Sequence, residues 1–172
     1  VMISHRALLA DADNLVQAQG FTEETVFVIC GPLNHFGSLS KLWPTFIKGG
    51  TIILLDGMKD QSAFFHAFDY PGNKFATFLV PASIRLLLLS GKEPLGRLAD
   101  KIDFIETGGA ALSQTDIDTL CHLLPHSRLY NTYASTETGI VSTYDFNHQP
   151  PLAGCVGQPM SHSSFFITPD NT

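Results

Sequence analysis

Short apolar, β-branched runs alternate with helix-patterned segments along almost the whole chain, and no other feature limits its fold so strongly. Ser4 precedes a helical pattern that runs to about Gln19, where Gly20 is placed to stop it. Val26 to Cys30 is an apolar run closed by Gly31-Pro32. A helix over about Gly37 to Ile47 is expected next, with Pro44 predicting a kink or a late start. Gly49-Gly50 then turns the chain into a strand from Thr51 to Leu55. There follow a helix over Asp60 to Phe68, a strand over Lys74 to Val80, and a helix over Ala82 to Leu89 with Pro81 near its first turn. A strand over Ile102 to Glu106, a helix over Ser113 to Leu124 and a strand over Ser127 to Tyr130 complete the series.

Strands this uniformly apolar belong to a parallel sheet whose two faces are both covered. The expectation is therefore an α/β fold: a doubly wound, mostly parallel sheet with helices on both faces, over residues 1–145. Phe64, Phe65 and Phe68 read as its core stripe. The tail has a different pattern. Gly139 to Asp145, Pro150-Pro151 and Gly154 to Ile167 read as β segments without intervening helices, so residues 146–172 are expected to begin a small separate β subdomain. Val1-Met2-Ile3-Ser4-His5 runs straight into a helix, and Phe165-Phe166-Ile167-Thr168 reads as a strand near the last residue. Both ends read as interior to a longer chain.

Composition excludes several classes. A formal charge of −6 with no basic patch disfavours nucleic acid and anionic membrane surfaces as partners. No apolar run has the length of a membrane span, and no basic segment leads into an apolar one as in a signal peptide. Cys30, Cys121 and Cys155 are odd in number and far apart, which points to a reducing, cytoplasmic setting. Cys121, His122 and His126 make a poor metal set, because Pro125 interrupts the turn that would align them. The oligomeric state is left open.

Ligands of open α/β sheets bind beyond the carboxyl ends of the strands. Three such ends carry unusual residues: Gly31-Pro32-Leu33-Asn34-His35-Phe36-Gly37, Thr107-Gly108-Gly109-Ala110-Ala111-Leu112-Ser113, and Asn131-Thr132-Tyr133-Ala134-Ser135-Thr136-Glu137-Thr138-Gly139. Small residues let backbone approach a planar ligand, and Ser113 is placed to cap the helix that follows it. The third segment offers rings to stack on a base, hydroxyls for phosphate oxygens and one carboxylate for Mg²⁺.

That third segment resembles the Tyr-Gly-x-Thr-Glu signature of the AMP-forming acyl/aryl-CoA synthetases and their adenylating relatives, with Ala134 in place of glycine. Gly108-Gly109-Ala110-Ala111-Leu112 resembles the family's Gly-Gly-Ala-Pro-Leu, with Ala111 replacing proline. Pro32-Leu33-Asn34-His35 is similar to its Pro-Leu-x-His, and Gly154-Cys155-Val156-Gly157-Gln158-Pro159 to its Gly-x-Val-Gly-x-Pro. The start, Val1 to His5, looks like the segment that follows the family's phosphate loop.

The resemblance implies roles. Tyr133 would stack on adenine beside Gly108, Gly109, Ala110 and Ala134, with Asn131 in support. Thr136 would bind the α-phosphate, Glu137 would hold Mg²⁺, and these two would carry the chemistry. His35, Phe36 and Gly37 would border the acyl group. The implied substrates are ATP, a small-molecule carboxylic acid and CoA, joined through an acyl adenylate. The family's phosphate loop and lysine-bearing domain lie outside these residues, so the chain alone is expected to form no acyl-AMP. Two alternatives stand beside this: an amino-acid or fatty-acid adenylation domain serving a carrier protein, and a non-catalytic nucleotide-binding module. Amino-acid-activating domains usually place an aspartate after an aromatic residue near His35, and Asn34-His35-Phe36-Gly37 has none.

Overall fold

The computed structural model describes residues 1–150, 152, 154–166 and 169. Helix α1 (His5–Gln19) starts where the Ser4 hydroxyl accepts the Ala7 N–H at 3.2 Å, and ends at Gly20 in the left-handed region with φ 69°. Strand β1 (Val26–Ile29) follows, and then two short helices, α2 (Phe36–Leu39) and α3 (Leu42–Ile47), stand where one was expected. The division is Pro44's doing. It occupies the third position of α3, within the first turn, where a missing N–H leaves no helical bond unmade.

After β2 (Thr51–Leu54) comes α4 (Gln61–His66), extended by a 3₁₀ turn at Ala67–Asp69 and capped by the Asp60 carboxylate. Then follow β3 (Phe75–Phe78), α5 (Pro81–Ser90) with Pro81 as its first residue, and α6 (Lys92–Gly96). Helix α6 was not expected; Pro94, the preceding Gly91 and the terminal Gly96 obscure a single turn. The series ends with β4 (Ile102–Gly108), α7 (Gln114–Leu123), β5 (Arg128–Ser135), β6 (Gly139–Asp145) and β7 (Gln158–Pro159).

The sheet order is β2-β1-β3-β4-β5-β6-β7, parallel from β2 through β5 and antiparallel beyond. Alternate residues of each strand feed opposite layers. Val26, Val28, Phe75, Ile105 and Leu129 pack with Phe64, Phe68, Leu87, Leu95 and Leu120 on one face. Phe27, Ile29, Ala76, Phe104 and Tyr130 pack with Leu15, Phe21 and Phe36 on the other. A register shift opposite Phe75 and Ala76 skips Asp103, so Ile102 joins the first layer and Phe104 the second. That shift also turns Glu106 toward α1.

One expectation for the tail is corrected. The strand anticipated over Gly154 to Ile167 is two residues long, and Phe165 and Phe166 lie outside it. Pro151, Ile167 and Thr168 fall outside the described residues. Among the described residues β7 pairs with β6 through Ser142↔Pro159 and Thr143↔Gln158, and so continues the main sheet.

Candidate functional site

Strand β5 runs further than its apolar stretch, and this extension organises the strand ends. Tyr133, Ala134 and Ser135 belong to it, whereas the sequence suggested a loop after Tyr130. Their alternation sends neighbouring residues to opposite sides of the sheet.

On the α1 side, a cavity of about 190 Å³ is lined by His35, Phe36, Gly37, Phe78, Glu106, Gly108, Gly109, Thr132, Ala134, Ser135, Thr136 and Ile140. Residues from the ends of β1, β4 and β5 thus meet, with Phe78 of the intervening β3 between them. Gly108 is required here by close packing: a Cβ on it would stand 2.8 Å from the Thr132 carbonyl oxygen. His35 is exposed and caps α2, its Nδ1 accepting the Gly37 N–H at 3.2 Å. It also lines a second, larger opening of about 510 Å³, with Cys30, Asp56, Met58 and Ser83.

On the other side, Asn131 lines a cavity of about 520 Å³ with Thr107, Ala111, Leu112, Cys121, Tyr144 and Cys155, among others, and donates to the Cys155 carbonyl at 3.3 Å. The Tyr133 ring is 54% exposed and meets Phe165 edge-on, with centroids 6.3 Å apart. Ala110 is exposed beyond Gly109, whose φ is 83°.

The turn from β5 to β6 has Thr136, Glu137 and Thr138 exposed at its tip, and Thr136 also lines the smaller cavity. The Ser135 hydroxyl accepts the Thr138 N–H at 3.2 Å and stands 3.0 Å from the Thr138 hydroxyl, closing the turn internally. Among the described residues no cluster of three His, Cys, Asp or Glu side chains stands ready to hold a metal. Glu137 is a single exposed carboxylate next in sequence to Thr136. That fits Mg²⁺, which binds through one or two carboxylates plus substrate phosphates rather than a protein cage.

All of residues 1–172 match the family model described as AMP-binding enzyme. The chain belongs to that family. It is 24% identical over 187 residues to the chloroplastic/peroxisomal 2-succinylbenzoate–CoA ligase of Arabidopsis thaliana, covering 99% of this chain and 33% of that one. To the 2-succinylbenzoate–CoA ligase of Staphylococcus epidermidis it is 30% identical over 132 residues, 76% of this chain and 26% of the relative. A solved malonyl-CoA ligase, in a ternary product complex with methylmalonyl-CoA and AMP, superposes with a TM-score of 0.76 at 27% identity, over 92% of this chain and 34% of the other. The crystal structure of IdnL1, at 19% identity, shares the fold with a TM-score of 0.85. This AMP-binding chain therefore spans a third or less of the length of the curated relatives described.

Beneath the smaller cavity the AMP-binding domain buries charge. Lys41 and Glu106, both fully inaccessible, pair at 2.7 Å, and Gln19 donates to the second Glu106 oxygen at 2.7 Å. Nearby, Asp11 of α1 is buried, and its Oδ1 accepts the Ile140 N–H at 2.6 Å while Oδ2 finds no partner among the described residues. Burial pushes the Asp11 carboxyl up to about 6, against the opposing pull of the Ile140 N–H and of Lys41. The sequence reading missed Asp11, Glu106, Phe78 and Thr132. A carboxylate closing the strand Ile102 to Glu106 was the available signal for Glu106, and Asp103 shares it; nothing local distinguishes Asp11 from an exposed helical acid.

Proposed function

We propose that this chain is the central nucleotide- and acid-binding portion of an ATP-dependent acid–CoA ligase. The observation that carries the reading is the two-sidedness of β5. Thr132 and Ala134 face the small cavity with His35 to Gly37, Asn131 faces the opposite cavity, and the turn that follows β5 brings Thr136 to the edge of the small cavity. An acid seated on the first side and an adenine stacked on Tyr133 near the second would bring carboxylate and α-phosphate together at that turn.

In this reading a carboxylate oxygen attacks the α-phosphorus of ATP and pyrophosphate leaves, giving an acyl adenylate that the CoA thiol then captures. Both reactants are anionic, so positioning and charge neutralisation supply most of the rate. Thr136 donates its hydroxyl to an α-phosphate oxygen. Glu137 would hold Mg²⁺, which would offset phosphate charge. The Gly108-Gly109 backbone, at the edge of the small cavity, lets the nucleotide approach closely, and His35, Phe36 and Gly37 border the acyl group. Ala134, the departure from the family's glycine, carries only a methyl and sits in β5 opposite Ile140, with an exposed surface.

The cavity of about 190 Å³ is below the roughly 300–1,000 Å³ usual for drug-sized ligands, which favours a small acyl or single-ring aryl acid. Relatives named for 2-succinylbenzoate support acid–CoA ligation, and residues 34–37 carry no aspartate of the kind amino-acid-activating domains place after an aromatic residue there. Residues 146–172 belong to the same reading as the beginning of a small β subdomain. Three free thiols accord with a reducing compartment such as the cytoplasm, and no helix among the described residues is long and apolar enough to cross a membrane.

The test is ATP–pyrophosphate exchange by the full-length protein across a panel of acids. Exchange supported by small uncharged acyl or aryl acids, followed by acyl-CoA formation, is the expected result. Exchange with amino acids alone overturns the substrate assignment, and none with any acid favours a non-catalytic module.

A further inference from the structure

The turn that bears Thr136 and Glu137 is tied down at both arms, and one tie comes from a distant part of the chain. Ser135 closes the first arm locally. The second arm, Gly139–Ile140, is held by Asp11, which lies 129 residues earlier in the sequence. Asp11 is only 6% exposed, and the Ile140 N–H reaches its Oδ1 at 2.6 Å, where the β5–β6 register shifts. Gly139 fits against the same carboxylate: its φ of 72° is left-handed, and a Cβ on it would fall 2.7 Å from Asp11 Oδ1. Lys41 and Glu106 are the charged groups near this carboxylate. A buried carboxylate with one oxygen unpartnered is costly to keep, and on α1 it has no other hydrogen-bonding use among the described residues.

We propose that Asp11 is a positioning residue: it clamps the β5–β6 turn to α1 and so fixes where Thr136 and Glu137 meet the nucleotide. The clamp stands on contacts alone; its effect on adenylation rests on the proposed ligase reading.

The test uses the full-length protein and the variants Asp11→Leu, Asp11→Asn and Gly139→Ala, with exposed Asp13→Asn on the same helix as the control. Hydrogen exchange of the peptide spanning residues 134–142 reports the clamp, with or without catalysis. Asp11→Leu should raise exchange there roughly tenfold or more while β1 and β3 keep their protection. In adenylation the same variant should lower kcat by about 10- to 100-fold and raise the Mg²⁺ concentration for half-maximal rate, leaving the KM for the acid unchanged. Asp11→Asn keeps the acceptor and should stay within about threefold of wild type in both measurements. Gly139→Ala reaches the same contact from the other side and should reproduce the Leu phenotype, which covers the case in which Asp11→Leu does not fold. Unchanged exchange in 134–142 in the folded variants overturns the clamp. Raised exchange with wild-type kcat and Mg²⁺ dependence overturns positioning and leaves a structural tie. A wild-type protein that adenylates no acid refutes the ligase reading instead, and exchange still decides the clamp.

Discussion

Replacing Lys41 with methionine should destabilise the domain far more than removing an ordinary surface charge. The Lys41–Glu106 pair is fully buried at 2.7 Å. At an effective dielectric of about 20, charges that close attract by roughly 6 kcal/mol, and burial of the two ions takes back a similar amount. The pair is therefore near neutral as a unit, whereas either half alone is not. Lys41→Met leaves the Glu106 carboxylate with only the Gln19 amide as partner, and should cost about 3–5 kcal/mol. Adding Glu106→Gln removes the stranded charge and keeps an acceptor for Gln19, leaving one amide poorly paired at about 1–3 kcal/mol. The double variant should thus be more stable than the single one, with a coupling energy of about 2 kcal/mol or more. Urea unfolding of the chain followed by Trp43 fluorescence measures this, because Trp43 lies two residues from Lys41 in α3. With a slope of about 2 kcal/mol/M, the single variant should lose roughly 2 M in midpoint. Additive effects, or a single-variant loss below about 1 kcal/mol, would refute the premise that the pair is dry.

Glu137→Gln in the full-length enzyme should lower adenylation by roughly 2–4 kcal/mol at the transition state, about 30- to 1000-fold, chiefly in kcat; single-turnover acyl-AMP formation reads it. Tyr133→Ala should instead weaken ATP binding by about 1–3 kcal/mol with kcat largely kept, as a KM titration would show. Asp11→Asn should alter how stability depends on pH. Burial pushes the folded carboxyl from the usual 3.8 up to about 6, so the folded state binds this proton more tightly; that stabilisation is full below 3.8 and is lost as pH rises through about 6. Relative to wild type, the asparagine variant should gain about 3 kcal/mol between about pH 3 and pH 8, and a difference that stays flat across that range refutes the burial argument.

Local signals were read well where one residue decides the outcome. Ser4 and Gly20 bracket α1 as expected, and Pro81 opens α5, because caps and proline act within a single turn. Three strand-end segments do converge: His35 to Gly37, Gly108-Gly109 and Thr136 share one cavity. What escaped the sequence depends on register and distance. The skipped Asp103 decides which layer Glu106 enters, and no local pattern announces a one-residue shift. The length of β5 was underestimated because its second half is polar, held by ladders to β4 and β6 rather than by apolar burial. The partition of Asn131 and Thr132 to opposite sides follows only once that extension is known. The tail was over-read, since apolar residues such as Phe166 stay exposed at 89% among the described residues.

The β5–β6 hairpin has a consequence for the order in which the molecule assembles. Each parallel pair in the sheet must wait for a crossover to fold back, but β5 and β6 are joined by a tight turn and can close on the microsecond scale of isolated hairpins. Asp11 arrives from the far end of the chain and reaches Ile140 only after α1 docks on the sheet. The Thr136–Glu137 loop is thus among the earliest contacts to form and among the last to become rigid. During synthesis it emerges after α1, whose Asp11 stays in water until the hairpin is there to receive it.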